Sequence, residues 1–260
     1  MKRIFYFFFT AAILMCASCS KYTQIFQTKP ATPGITSGDL LYFENDTVKI
    51  TYSFWHKNGT LAFSIYNKLN IPIYIDWKKS SLVKDGQKFN YWSEETITKK
   101  INKRADRFYM SYGDYELLGV SSGSSEGISH SRKPERITFL APHSNLIKIK
   151  FALYPFTDDK LNNNAIAGSM DNPISKKPVA ITYKEFKESN SPLSFRNFLT
   201  ISTSEKFENE VYIDNGFYVS RISQMKKDNF SGKELYDKGS NKMVYEMPFR
   251  SAALFFIDVK

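Results

Sequence analysis

Histidines are the side chains best suited to acid–base chemistry near neutral pH and to metal binding. The chain has three of them, His56, His130 and His143. No two have the i,i+4 spacing that places a ligand pair on one helix face, so the sequence predicts no zinc site. The acids of predicted loops, Asp114 and Asp158–Asp159, lack the spacing of a calcium-binding loop. We therefore predict no catalytic residue, metal or cofactor, while a site built from distant loops stays open.

A run of cations between residues 99 and 107 is the sharpest charge feature of the sequence. Its members are Lys99, Lys100, Lys103, Arg104 and Arg107. On a helix, three of these would share one face, and such a face suits contact with anionic lipid or glycan. A solvated basic loop is the competing interpretation.

Cys19 offers a different chemistry, which is acylation of its thiol. It directly follows Ala17-Ser18. An uncharged apolar stretch over residues 4–15 comes before it, behind two basic residues. That stretch has the length of a signal-peptide core and falls short of the roughly 20 residues that span a bilayer. The pattern resembles a bacterial lipobox, although Cys16 stands where that motif prefers Leu or Val. Plain secretion and an uncleaved anchor are the alternatives.

The chain has no cysteines other than Cys16 and Cys19. Cleavage before Cys19 removes one and acylation uses the other, so we expect a mature domain without disulfides. Its 22 Phe, 16 Tyr and 3 Trp favour strands and a large core. The net charge of +10 suits solubility or an anionic envelope surface. With an export signal present, we expect no nucleic-acid partner.

Alternating apolar residues predict strands from Val48 onward. Val48 to Phe54, Leu61 to Ile65 and Ile73 to Trp77 each have period two. Asn58-Gly59 and Asp85-Gly86 predict hairpin turns. We expect the first three strands to form a meander or part of a sandwich sheet, with Asp76 capping the turn that follows.

Further strands are predicted at Arg136 to Leu140, Leu146 to Tyr154, Phe195 to Ser202 and Ser251 to Val259. Ile147 and Ile149 are expected on the apolar face of the second. Asp214-Asn215-Gly216 predicts another hairpin. Asp158 to Pro178 and Gln224 to Met243 are polar and predict loops, the second with room for a short helix.

Together these elements predict an all-β fold, an elaborated immunoglobulin-like antiparallel β-sandwich with two long loops. The predicted organisation is a lipoprotein signal peptide over residues 1–18, a flexible tether over 19–38 and a β-sandwich domain over 39–260. An inserted excursion is expected at about 93–134.

Three segments carry a resemblance to a group of Bacteroidota-type lipoproteins of unassigned activity. They are Phe63–Lys68, Pro72–Ser80 and Ser202–Phe207. The similar regions extend over Trp55–Tyr91 and Asn197–Gly216. The resemblance implies lipid anchoring and export, and supplies no activity.

The sequence thus favours a membrane-anchored binding or structural module of the bacterial envelope over an enzyme. The lipid on Cys19 would bind the membrane, and an envelope protein, glycan or anionic lipid would be the partner. No acid follows Cys19 before Asp39, which favours the periplasmic face of the outer membrane. An exported hydrolase with a loop-built active site is the alternative.

Overall fold

The computed structural model describes residues 22–38, 40–93, 97–98, 108–112, 115–119, 131–132, 134–154, 161, 164–237 and 242–259. In chain order the strands are β1 (Tyr22–Pro30), β2 (Ile35–Ser37), β3 (Leu41–Glu44), β4 (Val48–Ser53), β5 (Thr60–Asn67), β6 (Ile73–Asp76), β7 (Ser81–Lys84), β8 (Gln87–Asn90), β9 (Ile97–Thr98), β10 (Phe108–Tyr112), β11 (Tyr115–Gly119), β12 (Ser131–Arg132), β13 (Ile137–Leu140), β14 (Asn145–Ala152), β15 (Ile166–Asp171), β16 (Pro178–Glu185), β17 (Ser194–Ser202), β18 (Glu210–Lys226), β19 (Glu234–Asp237), β20 (Lys242–Tyr245) and β21 (Leu254–Val259). A 3-10 turn lies at Glu188–Asn190 and a four-residue α-helix, α1, at Lys227–Phe230.

Two large sheets form the body of the molecule. The smaller has five strands in the order β14-β5-β4-β3-β2. The larger follows the order β13-β6-β17-β18-β1-β21, with β7 and β8 beside β17, and with β16 and β15 beside β18. The strand pairs within these sheets run antiparallel. The prediction of an all-β antiparallel sandwich is therefore confirmed.

Aromatic side chains from both sheets fill the space between them. Tyr52 belongs to β4 and Phe54 directly follows it, while Phe195 and Phe217 belong to β17 and β18; all four are buried. Ring centroids lie 4.9 Å apart for Tyr52 and Phe217 and 5.1 Å apart for Phe54 and Phe195, both edge to face. Such tilted pairs are the favoured aromatic geometry, so the Phe- and Tyr-rich composition supplies the core.

Two of the predicted turns occur where the sequence places them. Asp85 and Gly86 join β7 to β8 as a two-residue turn, with φ values of 48° and 79°. Asn58 and Gly59 end the connection from β4 to β5, with φ values of 68° and 63°. Positive φ at both central residues is what Asn-Gly and Asp-Gly supply at low cost in a hairpin turn. Both turn predictions are confirmed.

The predicted meander of three strands is only partly correct. β4 and β5 pair with each other, but β6 pairs with β13 and β17 in the larger sheet. Ile73, Ile75 and Trp77 do share a buried face, as their spacing predicts. The chain therefore crosses from one sheet to the other after β5, because each sheet needs an apolar face opposite it.

The prediction of a flexible tether over residues 19–38 is wrong for Tyr22–Pro30. These residues form β1, which pairs with β18 on one side and β21 on the other. The polar composition of β1 hides its place in the sheet, because Thr23, Gln24 and Thr28 are all buried. The Gln24 amide donates to Gln224 at 2.9 Å, for example, so a polar side chain is satisfied inside the sheet.

The hairpin predicted at Asp214-Asn215-Gly216 is also wrong, because β18 runs through it as one strand of 17 residues. Asn215 lies inside the core, where its amide donates to the Tyr52 hydroxyl at 2.7 Å. The Gly216 amide donates to the Thr32 hydroxyl at 2.8 Å. Asn215 is thus bonded to β4 of the opposite sheet and Gly216 to the connection that follows β1, which holds the segment extended.

The two segments predicted as loops contain regular structure. Residues 158–178 include β15, which pairs with β16 as a hairpin whose last pair before the turn is Asp171 with Pro178. Residues 224–243 include the end of β18, the predicted short helix as α1, and the β19–β20 pair. Phe230 of α1 packs with Ile25 and Met225 in a second apolar cluster. That cluster covers part of the outer face of the larger sheet, which is why these polar segments fold.

The region predicted as an inserted excursion, about 93–134, holds four short described strands. β9 pairs with β12, and β10 pairs with β11, in two small sheets separate from the large ones. Among the described residues, neither pair joins the ladder of a large sheet.

Candidate functional site

Two lysines of β14 point into the space between the sheets. Lys148 pairs with Phe63 of β5, and Lys150 pairs with Leu61. Phe63 and Leu61 are fully buried members of the core, and paired residues of neighbouring strands share one face. The apolar face predicted for Ile147 and Ile149 is therefore the outer face, and Ile149 is 42% exposed.

A bulge at Phe151 explains this reversal. The pairing of β14 with β5 shifts between Lys150 and Ala152, and Phe151 has a φ of 61°. A bulge adds one residue to a strand and so resets its alternation. Leu153, beyond the bulge, is buried. The lysines before the bulge and the apolar side chain after it consequently face the same core.

The ammonium groups of both lysines contact aromatic residues at the open edge of the sandwich. The Lys148 Nζ lies 4.1 Å from the centre of the Trp77 ring. The Lys150 Nζ donates to the carbonyl oxygen of Tyr91 at 2.6 Å and lies 4.9 Å from the Phe151 ring centre. We call these five residues, Lys148, Lys150, Trp77, Tyr91 and Phe151, the lysine edge.

The aromatic side chains of the lysine edge form a continuous wall. Ring centroids of Trp77 and Tyr91 lie 5.6 Å apart, and those of Tyr91 and Phe151 lie 5.3 Å apart. The wall extends to Phe89, whose ring centroid lies 6.1 Å from that of Phe151. Trp92, the next residue after Tyr91, has the Lys78 ammonium 5.4 Å from its ring centre. Phe89, Trp92 and Phe151 are partly exposed, so solvent reaches the wall.

The surroundings of Lys148 and Lys150 disfavour the charged form of both side chains. Burial lowers the pKa of Lys148, and the nearby charge of Lys150 lowers it further, while Glu135 acts in the opposite direction. Burial also lowers the pKa of Lys150. Two partly buried like charges repel each other and lose hydration. An anionic group bound here would relieve both effects.

An ion pair fixes the strand that carries Trp77. Asp76 is buried at the end of β6, and its carboxylate accepts a hydrogen bond from Arg136 at 2.9 Å. The same carboxylate accepts from the amides of Lys78 and Lys79, at 2.9 and 3.3 Å. Burial alone would raise the pKa of Asp76, but these hydrogen bonds hold it below the ordinary value of 3.8. The carboxylate of Asp76 therefore caps the turn after β6 through Lys78 and Lys79, with Arg136 as its additional partner.

Behind the lysine edge lies a buried hydrogen-bond network that joins the sheets. The Tyr52 hydroxyl accepts from the amides of Asn197 at 3.2 Å and Asn215 at 2.7 Å. Tyr91 donates its hydroxyl hydrogen to the Asn197 side-chain oxygen at 2.7 Å. Burial raises the pKa of both tyrosines, so both hydroxyls stay protonated at neutral pH. Tyr91 thus connects the network to Lys150.

The sequence-predicted site residues fall mostly elsewhere. Cys19 and the five cations Lys99, Lys100, Lys103, Arg104 and Arg107 lie outside the described residues, and so does His130. Their predictions stay predictions.

The two described histidines do not form a site together. His56 precedes β5 and lies 2.6 Å, through its Nδ1, from the Lys57 carbonyl oxygen. His143 lies beyond the far end of β5, with its Nε2 2.8 Å from the Asn70 side-chain oxygen. An eight-residue strand spans roughly 25 Å, which separates the two rings. Within the described ranges, no three His, Cys, Asp or Glu side chains gather as a metal site.

Comparison with protein-family models, with curated proteins and with solved structures finds no match to this chain. In the part of the chain that the structure describes, no helix has the length and apolar character to cross a bilayer.

Sequence reasoning missed the lysine edge for a specific reason. Lys148 and Lys150 alternate with Ile147 and Ile149, and an apolar face is normally assigned to the core. The signal that distinguishes the two faces is the bulge at Phe151, and a bulge outside a Gly position has no clear sequence mark.

Proposed function

We propose that this protein is a lipid-anchored binding module of the bacterial envelope that holds an acidic glycan at the lysine edge. The observation that carries the proposal is the inward placement of Lys148 and Lys150 on an aromatic wall. Partly buried cations without a full complement of acids are costly to a fold, and such groups occur mainly where they bind something.

The aromatic wall favours a sugar over a simple inorganic anion. Phe151 offers a partly exposed ring beside the ammonium group of Lys150, and the partly exposed ring of Phe89 lies next to Phe151. Aromatic rings provide flat apolar contact area, and a carboxylate or phosphate on a sugar forms strong hydrogen bonds with lysine. A uronic acid or a sugar phosphate combines both features. The overall charge of +10 would also attract an acidic polymer.

A titration with oligogalacturonate tests the proposal, with the same oligosaccharide methyl-esterified as a neutral control. The acidic form should bind, and its affinity should fall with salt, because a charge pair is screened. Lys148→Met should weaken binding about tenfold, the effect of losing one charged hydrogen bond of about 1.5 kcal/mol. Lys88→Met on β8 is the matched control, since Lys88 is an exposed lysine. Equal binding of the acidic and esterified forms would contradict the proposal.

The anchor is the second part of the proposed function. The apolar stretch before Cys19, and the resemblance to Bacteroidota-type lipoproteins, support acylation of its thiol after cleavage. We propose attachment to the periplasmic face of the outer membrane. Mass spectrometry of the mature N-terminus tests the lipid: a start elsewhere, with no fatty acid on Cys19, would contradict it. Protease treatment of intact cells tests the leaflet, since digestion would place the domain outside.

A hydrolase stays the alternative, and one sequence pattern favours it. The Gly-x-Ser-x-Gly arrangement of hydrolase nucleophiles occurs twice, at Gly119–Gly123 and Gly123–Gly127. The central serines, Ser121 and Ser125, lie outside the described residues. In a Ser/Gly-rich segment the pattern arises readily by chance. Hydrolysis of a p-nitrophenyl ester that Ser121→Ala or Ser125→Ala abolishes would favour this alternative.

A further inference from the structure

The β15–β16 hairpin extends past the end of the sheet at which β1 begins. Thr182 of β16 and Gln24 of β1 both pair with Gln224 of β18, so they lie level on its two sides. β16 begins at Pro178, four residues before Thr182, whereas β1 begins at Tyr22, two residues before Gln24. The hairpin therefore reaches about 7 Å beyond Tyr22 before its turn starts.

The turn of this hairpin, which we call the hairpin tip, comprises residues 172–177. Its shape is fixed by local hydrogen bonds. The side-chain oxygen of Asn172 accepts from the amides of Ile174 and Ser175, each at 2.9 Å. The Lys176 amide donates to the Asn172 carbonyl at 2.8 Å, and the Asn172 amide donates to the Lys177 carbonyl at 2.9 Å. The hairpin tip is thus an ordered projection.

Its composition combines one large apolar side chain with two cations. Ile174 is 53% exposed, and Lys176 and Lys177 are exposed beside it. An apolar residue next to lysines is the arrangement that contacts a membrane interface. The aliphatic group enters the headgroup boundary, and the ammonium groups pair with anionic lipid.

The position of the proposed anchor places this tip at the bilayer. Cys19 and Tyr22 are three residues apart, a separation of at most about 11 Å. A lipid on Cys19 would therefore hold the start of β1 near the membrane surface. The same end of the sheet carries Lys226, which pairs with Tyr22 and is exposed. A positive surface that faces lipid headgroups fits this arrangement.

We propose that the hairpin tip is a second membrane contact, which inserts Ile174 at the interface of an anionic phospholipid bilayer. The inference rests on the lipid anchor of the proposed function. With the anchor and the tip both bound, the domain has a fixed orientation on the membrane. The connection between β17 and β18, residues 203–209, lies at the opposite end of the sheet, beyond the pair of Ser202 with Glu210, and it then points away from the bilayer.

A fluorescence experiment on the full mature lipoprotein tests this orientation. Acylation occupies Cys19, so Ser175→Cys introduces one reactive thiol at the hairpin tip for a polarity-sensitive dye. Asn209→Cys, exposed in the connection between β17 and β18, is the matched control. In vesicles containing phosphatidylglycerol, the dye at Ser175 should shift to the blue and be shielded from an aqueous quencher. The dye at Asn209 should behave as it does in water.

Equal shielding of the two dyes, whether both are accessible or both are protected, would overturn the inference. The double change Lys176→Glu and Lys177→Glu should weaken the partitioning of the tip at least about fivefold per lysine, from about 1 kcal/mol each. Unchanged shielding of the dye in that variant would show that the two lysines do not contribute to the membrane contact. The intact mass of the same preparation reports the acyl groups on Cys19. If the protein is acylated but the dye at the hairpin tip stays accessible, the membrane contact of the tip is contradicted while the lipid anchor is not.

Discussion

Removal of a single oxygen atom from the buried network should destabilise the protein strongly. Tyr52→Phe deletes the hydroxyl that accepts from Asn197 and Asn215, at 3.2 and 2.7 Å. All three residues are at most 1% exposed, so water cannot replace the lost acceptor. Each orphaned amide hydrogen costs about 1–3 kcal/mol, so the variant should lose about 2–5 kcal/mol. That is a large part of a typical stability of 5–15 kcal/mol.

Urea unfolding followed by tryptophan fluorescence measures this loss. Tyr66→Phe is the matched control, since Tyr66 on β5 is partly exposed, and its variant should change stability by less than about 0.5 kcal/mol. Adding Asn215→Leu to Tyr52→Phe should recover part of the loss, because removing both partners of a buried hydrogen bond leaves no orphaned group between them. A Tyr52→Phe variant that loses under about 1 kcal/mol would refute the reasoning that this network is sealed from water.

Three further predictions concern charges and a turn. Lys148→Met should raise the free energy of unfolding at pH 7, because burial and Lys150 disfavour the ammonium group in the fold. Because the folded-state pKa of Lys148 is lowered, this gain in stability is full below that pKa and vanishes as the pH approaches 10.5. Urea unfolding of the variant and the wild type at pH 7 and at pH 10 measures the change. Asp76→Asn should lower the free energy of unfolding by about 1–2 kcal/mol at pH 7, because it weakens the pair with Arg136. The folded-state pKa of Asp76 is lowered, so the difference in stability between the variant and the wild type should shrink below about pH 4. Gly59→Ala should lower the free energy of unfolding in urea by more than about 1 kcal/mol, because the φ of Gly59 is +63° and a Cβ there would lie 3.0 Å from the Phe255 ring. An unchanged free energy of unfolding would show that the turn relaxes around the added methyl group.

Much of the fold follows from the sequence because local signals and tertiary structure agree there. Asp85-Gly86 is a two-residue turn whatever its surroundings, and the period-two strand from Ile73 has one apolar face in any sheet. The predictions fail where the local structure is determined by a residue that is distant in the sequence. Asn215 belongs to a turn signal, yet the Tyr52 hydroxyl, 163 residues away, holds it in a strand. β1 looks like a linker in the sequence, because the residues that bond its Gln24 and Thr28 side chains, Gln224 and Ala253, lie about 200 residues or more away along the chain.

The candidate site was unpredictable for a related reason. An alternating strand carries two faces, and the sequence gives no information about which face a bulge turns inward. Lys148 reaches the Trp77 ring because it pairs with Phe63 and shares its inner face, and the shift at Phe151 lets the strand continue with Leu153 on that face. A lysine on that strand is ordinary in sequence, and it becomes unusual only when the opposite sheet places an aromatic wall in front of it.

The link between the core and the lysine edge passes through one residue. Tyr91 donates through its hydroxyl to Asn197, and its backbone carbonyl accepts from Lys150 at 2.6 Å. A side chain whose hydroxyl is fixed in a buried network cannot move without breaking hydrogen bonds that water cannot replace. The ammonium group of Lys150 is therefore held in place before any ligand arrives, so less entropy is lost on binding. Tyr91→Phe should consequently weaken oligogalacturonate binding although the lost hydroxyl lies inside the core, and unchanged affinity in a folded variant would separate the network from the site.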